Sequence, residues 1–290
     1  MLIAYVSCAV LPEPDLDERP LVMGLEAAGY GVEVVAWDDG TVDWSRFDAA
    51  VIRATWNYPE HEQAFREWIE LAAGATRLFN SAEVVRWNMH KGYLRELEGR
   101  GVPIIPTVFF ERGGKAELDA VCDGRGWEKI VIKPSIGCGS RGTGVFTLGD
   151  RRSQARAYLK DALGARDMMV QGYMPQVERE GETALVVIDG KLTHAIEKRP
   201  RFHGEDESVS LREGGPSDEQ RAFARQVLDA AGRECLYARV DVIPDDDGGL
   251  MLSELEMLEP SLFFPQNPAA VGVLVRGLER RLASAQSGVG

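Results

Sequence analysis

Residues 130–148 read Ile130-Val131-Ile132-Lys133-Pro134-Ser135-Ile136-Gly137-Cys138-Gly139-Ser140-Arg141-Gly142-Thr143-Gly144-Val145-Phe146-Thr147-Leu148, and the rest of the chain is interpreted from here. Gly137, Gly139 and Gly142 complete a GxGxxG pattern. In a dinucleotide fold that pattern follows a strand and opens a helix. Here a strand precedes it, but residues 145–148 read as a second strand. An NAD-dependent dehydrogenase is therefore disfavoured. A glycine loop between two strands suits another task. Glycine lets backbone N–H groups approach and nest an anion, and Ser135, Ser140 and Thr143 add hydroxyl donors. Protein kinases place their lysine after such a loop and carry HRD and DFG triplets. Here Lys133 comes before the loop, and neither triplet exists. A plain surface hairpin is the competing reading of the loop. Lys133 reads either as a strand-end lysine snorkelling to solvent or as a point charge for a phosphate.

A second constellation lies downstream, in Arg239-Val240-Asp241 and Glu254-Leu255-Glu256. Both segments read as strands of one hairpin around Asp245-Asp246-Asp247-Gly248-Gly249. Period-two alternation puts Arg239 with Asp241 on one face and Glu254 with Glu256 on one face. If the two faces coincide, three carboxylates and a guanidinium converge. Hard oxygen donors beside a nucleotide phosphate are what Mg²⁺ requires. A solvated acidic face is the alternative, opposed by the repulsion of three clustered like charges. The Asp245–Gly248 run lacks the spacing of a calcium loop and reads as a turn.

The remaining chain organises around these two features. Strands at 2–6, 32–37, 49–53 and 77–80 alternate with helices at 21–28 and 60–73, which implies a parallel α/β sheet. Arg53 and Asn57 then fall at the C-terminal end of the third strand, where such sheets place ligands. The middle carries a helix at 91–100, strands at 104–110, 129–133, 145–148 and 168–171, and a helix at 151–163. The last third is mostly antiparallel. Residues 183–188 and 191–198 flank Asp189-Gly190, a two-residue hairpin signal. Ser217-Asp218-Glu219-Gln220 fits a capping box opening a helix to about residue 231. A last helix spans 268–282, before a loose tail at 284–290. Three units follow: an N-terminal α/β unit (1–85), a central unit with the glycine loop as lid (86–170), and a C-terminal antiparallel unit with the acidic hairpin (171–290).

With 290 residues, 33 Lys plus Arg and 46 Asp plus Glu, the net charge is −13. That balance argues against nucleic acid or an anionic membrane as main partner, but a few placed cations can still hold a small anion. No apolar run approaches the ~20 residues of a membrane helix. The apolar start lacks a basic flank and meets Pro12-Glu13-Pro14-Asp15 at once, so it reads as a buried strand and not as a signal peptide. Cys8, Cys122, Cys138 and Cys235 are scattered without a CxxC pair, which disfavours zinc and fits a reducing cytoplasm.

The order Lys91, Lys133, glycine loop, 169–173, Gly181-Glu182, Arg239/Asp241, Glu254/Glu256 resembles the ATP-grasp superfamily over nearly the whole chain. It looks closest to the glutathione-synthetase-like branch that includes D-cycloserine synthetase. The Asp241-to-Glu254 spacing also matches D-alanine–D-alanine ligases. Arg53-Ala54-Thr55-Trp56-Asn57-Tyr58 and Trp87-Asn88 extend the match into the N-terminal part. Core packing is the competing role for both tryptophans. The resemblance implies an ATP-grasp fold: a Rossmann-like N-terminal domain, a small lid subdomain and a C-terminal antiparallel sheet.

It further implies that Lys91 and Lys133 reach nucleotide phosphates. Ser135, Gly137, Gly139, Ser140 and Gly142 would form the lid. Gln171, Tyr173 and Met174 would read the adenine edge, and Glu178 or Glu182 would hold the ribose. Asp241, Glu254 and Glu256 would hold Mg²⁺, although Asn is usual at the third position. Arg239, Lys133 and Lys198 would serve the transferring phosphoryl, and Arg53 and Asn57 the substrate. The charged loop 199–215 departs from the branch pattern and is expected to meet the acceptor. Cys138 is read as incidental.

The implied reaction is ATP-dependent joining of a carboxylate to an amine (or thiol) through an acyl phosphate, on an amino-acid-like substrate, including ring closure within one molecule. A nucleotide-binding protein of the same fold without turnover is the alternative. Many relatives of this kind are dimers, so a homodimer is expected, in the cytoplasm that the cysteine usage fits.

Overall fold

The computed structural model describes residues 1–199 and 208–286. The N-terminal sheet is parallel. Strands β1 (Leu2–Ser7), β2 (Gly31–Ala36), β3 (Ala49–Ala54) and β4 (Leu78–Phe79) lie in the order β2-β1-β3-β4. Helices α1 (Glu18–Ala27) and α2 (Glu62–Ala75) make the crossovers. Residues 49–54 are all buried, as an apolar run covered on both faces of a parallel sheet should be. Two short helices follow, α3 (Ala82–Asn88) and α4 (Tyr93–Gly99). Ser81 caps the first by accepting from the Val84 N–H.

The lid sheet joins β5 (Thr107–Phe110), β6 (Lys129–Pro134), β7 (Gly144–Thr147) and β8 (Met168–Gly172) in the order β5-β8-β6-β7, all antiparallel. It carries α5 (Leu118–Arg125) and α6 (Leu148–Leu163) on its own small core of Phe110, Ile130, Ile132, Phe146, Leu159 and Val170. The glycine loop is thus the β6–β7 connection. After the single turn α7 (Gln176–Arg179), the C-terminal sheet runs β11-β10-β9-β12-β13. Its members are β9 (Glu182–Ile188), β10 (Lys191–Arg199), β11 (Ser208–Leu211), β12 (Tyr237–Pro244) and β13 (Leu250–Glu256).

Helix α8 (Asp218–Ala231) begins with a full capping box from Ser217 and Gln220 and buries Phe223, Ala224 and Val227. Helix α9 (Ala269–Gln286) returns to the N-terminal half. Leu274 and Leu278 share a core with Leu21, Leu25, Val186 and Ile188. Tyr93, Leu94 and Leu97 of α4 share a core with Leu185, Val240 and Leu255 of the C-terminal sheet and with Met169 of β8.

The halves are stitched by buried polar side chains acting on backbone. Asn80 donates to the Tyr237 and Met257 carbonyls at 2.9 and 2.7 Å and accepts from the Leu236 N–H at 2.6 Å. Asn88 donates to the Leu255 carbonyl and accepts from the Met257 N–H. Asp17 accepts from the N–H groups of Leu262 and Phe264. These bonds fix the strand-like segment after β13, which borders the cavity described next.

Candidate active site

A cavity of about 540 Å³ opens between the lid sheet and the C-terminal sheet, a size suited to a nucleotide-scale ligand. Its floor is the β12–β13 hairpin. Cross-strand partners are Arg239 with Glu256 and Asp241 with Glu254, so the two alternating faces coincide and all four side chains line the cavity. Arg239 donates from Nε and Nη2 to the two oxygens of Asp241 at 2.8 and 2.9 Å and also bonds Glu256. Lys198, on β10, donates to Asp241 at 2.7 Å and pairs with Glu182. Lys91 reaches Glu254 at 2.7 Å and the Gly137 carbonyl at 2.6 Å. Lys133 stands 4.0 Å from Glu254.

These charges set one another's protonation. Burial works against ionised Asp241, but Arg239 and Lys198 overcome it and hold the carboxyl below the usual range. Glu254 is likewise held low against burial by Lys91 and Lys133. Burial raises Glu256 to about 8, with Glu254 and Asp241 adding repulsion that Arg239 only partly offsets. Burial lowers Lys133, and Lys91 adds to this against the pull of Glu254.

The donor set of Asp241, Glu254 and Glu256 is hard oxygen on one face of paired strands, with a negative charge that resists full ionisation. That chemistry fits a divalent cation. Among the described residues, however, no three such side chains are gathered closely enough to enclose a metal. Lys91, Lys198 and Arg239 occupy their oxygens instead.

The far end of the cavity is lined by Gln171, Tyr173, Met174, Val131 and Ile243. Gln171 is spent on Thr107, to which it donates at 2.9 Å. The Met174 N–H has no backbone partner among the described residues and borders the cavity. Gly137, Gly139, Ser140 and Thr143 form the roof. Ser140 and Gly139 both adopt positive φ, 58° and 59°, and the loop closes on itself as the Arg141 and Thr143 N–H groups donate to the Cys138 and Ser140 carbonyls. The loop tip reaches the N-terminal domain. Arg141 donates to the Trp56 carbonyl and pairs with Glu60 at 3.5 Å, and the Cys138 thiol donates to the same carbonyl at 3.1 Å. Burial pushes the Cys138 thiol up, so it stays protonated and serves packing.

Five expected contacts lie outside the cavity lining. Ser135 is fully buried, because its N–H continues the strand by donating to the Asp167 carbonyl. Gly142 accommodates the turn: its φ is +69°, and an added Cβ would stand 3.1 Å from Pro134. Glu178 is occupied outside by Lys129 at 2.8 Å and by Tyr173, leaving Glu182 as the carboxylate inside. Arg53 is 2 % exposed and donates to the Pro260 carbonyl at 2.6 Å, with its guanidinium over the Tyr237 ring. Asn57 accepts from Trp37 and donates to Asp38, both at 2.7 Å. Of the tryptophans, Trp56 borders the cavity, whereas Trp87 packs between Tyr93 and Arg233. In the charged loop, Pro200–Glu207 lies outside the described residues.

The structure adds Glu13, Glu259, Ser261 and Phe263 to the lining. Local pattern did not announce them: residues 257–260 are all buried, so the alternation of β13 stops before Glu259.

A family model described as D-cycloserine synthetase DcsG, N-terminal domain, matches residues 3–80. Cycloserine biosynthesis protein DcsG of Streptomyces lavendulae is 33% identical over 276 residues, which covers 90% of this chain and 92% of that protein. The crystal structure of D-cycloserine synthetase DcsG superposes with a TM-score of 0.90 at 31% identity, covering 97% of this chain and 100% of that one. The ATP-grasp ligase PsnB, solved with minimal precursor, Mg and ADP, has a TM-score of 0.64 at 18% identity, over 96% and 98% of the two chains. That last likeness speaks for the fold alone. Identity at this level along almost the whole of a relative settles kinship: the chain belongs to the DcsG family of the ATP-grasp superfamily and is an ATP-dependent ligase that forms C–N bonds.

Proposed function

We propose that this ligase activates the carboxylate of an amino-acid-derived substrate with Mg²⁺–ATP and closes an amide-type ring within that molecule, as the name of its DcsG relative indicates for that protein. The observation that carries the reading is the convergence of Lys91, Lys133, Lys198 and Arg239 on the carboxylate face of one hairpin beneath the glycine loop. In the first step a substrate carboxylate oxygen bonds to the γ-phosphorus, and the bond to the β–γ bridging oxygen breaks, releasing ADP. In the second a nitrogen lone pair attacks the acyl carbon. The acyl C–O bond breaks, phosphate leaves, and the nitrogen gives up a proton.

Arg239 and Lys133 offset charge on the transferring phosphoryl, which is the main demand of this chemistry. Lys91 binds phosphate, Glu182 the ribose, and the Met174 N–H the adenine edge. Asp241, Glu254 and Glu256 would hold Mg²⁺, which supplies charge neutralisation on the phosphate oxygens. Lys91, Lys198 and Arg239, ion-paired to these carboxylates here, would turn toward phosphate. The Arg141 and Cys138 contacts to Trp56 hold the lid against the N-terminal domain and exclude water, which an acyl phosphate requires. A cytoplasmic homodimer belongs to the same proposal and is checked by sedimentation.

The test is a screen of amino acids and their side-chain-aminated derivatives for ADP and phosphate release, with products weighed by mass spectrometry. Ring closure gives the substrate mass less one water. A product joining two substrates would replace ring closure by intermolecular ligation. ATP binding without release in every condition would overturn the amino-acid-derived substrate class.

A further inference from the structure

Beside the main cavity lies a side chamber of about 20 Å³, bordered by Tyr58, Lys91, Cys138, Glu254, Glu256 and Glu259. Glu259 also borders the main cavity. Of the carboxylates lining that cavity, Glu182, Asp241, Glu254 and Glu256 are each ion-paired with Lys or Arg. Glu259 is 6 % exposed and has no ion pair among the described residues. The cation acting on it most strongly is Lys91, whose ammonium is committed to Glu254 and Gly137. A buried carboxylate without a counter-ion is costly, and a cation bound beside it offsets that cost.

Its position is also rigid. The Trp56 indole donates to the Glu259 carbonyl at 3.2 Å, Arg53 donates to the next carbonyl at 2.6 Å, and Asp17 accepts from the Leu262 N–H at 2.5 Å. Side chains from the N-terminal half thus anchor the backbone that carries Glu259 at the border of both cavities. The chamber holds one water-sized group, and a primary ammonium is of that size.

We propose that Glu259 receives the primary ammonium of the substrate in this chamber, and that it thereby restricts the ligase to amino acids with a free amine. This deepens the proposed function and rests on it. N-acylated substrates would lack the charge and exceed the space, and a second carboxylate at that end would be repelled. Glu259 is a specificity-determining contact; the transferring phosphoryl is served by Arg239 and Lys133.

The test measures binding of D-cycloserine and N-acetyl-D-cycloserine by calorimetry, with ADP and Mg²⁺ present, to the wild type and to Glu259→Gln. ADP affinity reports that each protein is folded. D-Cycloserine is expected to bind the wild type at least tenfold more tightly than it binds the variant. The acetylated compound is expected to bind the wild type at least tenfold more weakly than its parent. This second comparison needs no variant. Equal D-cycloserine affinity in both proteins, or equal affinity of the wild type for both compounds, overturns the assignment alone. A wild type that binds ADP but neither compound overturns the cycloserine-type reading and the assignment together.

Discussion

Replacing Asn80 by alanine should loosen the junction between the N-terminal sheet and the catalytic hairpin. Asn80 is 1 % exposed and makes three short bonds to the backbone of residues 236, 237 and 257. Truncation loses those bonds and leaves two carbonyls and one N–H without their partner in the core. A net hydrogen bond contributes about 1 kcal/mol, and each buried orphan costs roughly 1–3 kcal/mol. Water entering the vacated space would recover part of this, so the expected loss is about 3–5 kcal/mol. Asn80→Asp should be worse at neutral pH, because it aims a carboxylate at the Tyr237 and Met257 carbonyls. Its deficit should shrink as acid protonates it. Urea unfolding followed by far-UV circular dichroism reads both variants. A loss under about 1 kcal/mol for Asn80→Ala, or an Asn80→Asp no less stable than Asn80→Ala, would refute the view that this side chain joins the halves.

Three further outcomes follow from the geometry. His194 is buried and donates from Nε2 to the Leu262 carbonyl in its neutral form, and burial lowers its pKa from 6.5 to about 4. The unfolded chain therefore takes up the proton first, and stability falls as pH drops below 6.5, by about 2 kcal/mol at pH 5; His194→Gln should remove that portion of the slope in urea titrations. Glu182→Gln should raise the KM for ATP about tenfold, whereas Glu178→Gln should leave it unchanged; the reverse order in steady-state kinetics would return the ribose to Glu178. Asp241→Ala should abolish ADP release and also destabilise the free protein by about 3–5 kcal/mol, since Arg239 and Lys198 lose their shared counter-charge; a melting temperature equal to wild type would contradict the observed pairing.

The hairpin and the lid were legible because both depend on short-range pattern. Alternation alone places Arg239 and Asp241 together, and the Asp-rich turn brings Glu254 and Glu256 opposite them. The turn residues also behave as read, with Asp245 accepting from the Asp247 and Gly249 N–H groups. Short elements escaped: α3 is seven residues, and β11 is an edge strand of four, too brief for periodicity to register. Arg53 and Asn57 show a different limit. Strand polarity correctly brings Arg53 to the C-terminal end of β3, but its guanidinium is captured by the Pro260 carbonyl, 207 positions along the chain. No local pattern announces that a distant loop will consume a side chain. The choice between Glu178 and Glu182 stayed open for a related reason: α7 breaks the strand register between them.

The charge of −13 bounds partners only on average, and the site gathers buried cations among its carboxylates. Lys91, Lys198 and Arg239 are 6 %, 8 % and 8 % exposed. Cations so buried persist only beside carboxylates, and here those carboxylates are the same residues that fit a divalent metal. Acid and base therefore hold each other in place in the free protein, and in the proposed reaction they would exchange partners, phosphate for the cations and metal for the carboxylates. Such a trade preserves the number of satisfied charges and so costs little reorganisation. Glu259 stands outside the exchange because it has no cation to release. That asymmetry separates it from the paired carboxylates and is the ground on which its charge is proposed to meet the substrate's ammonium.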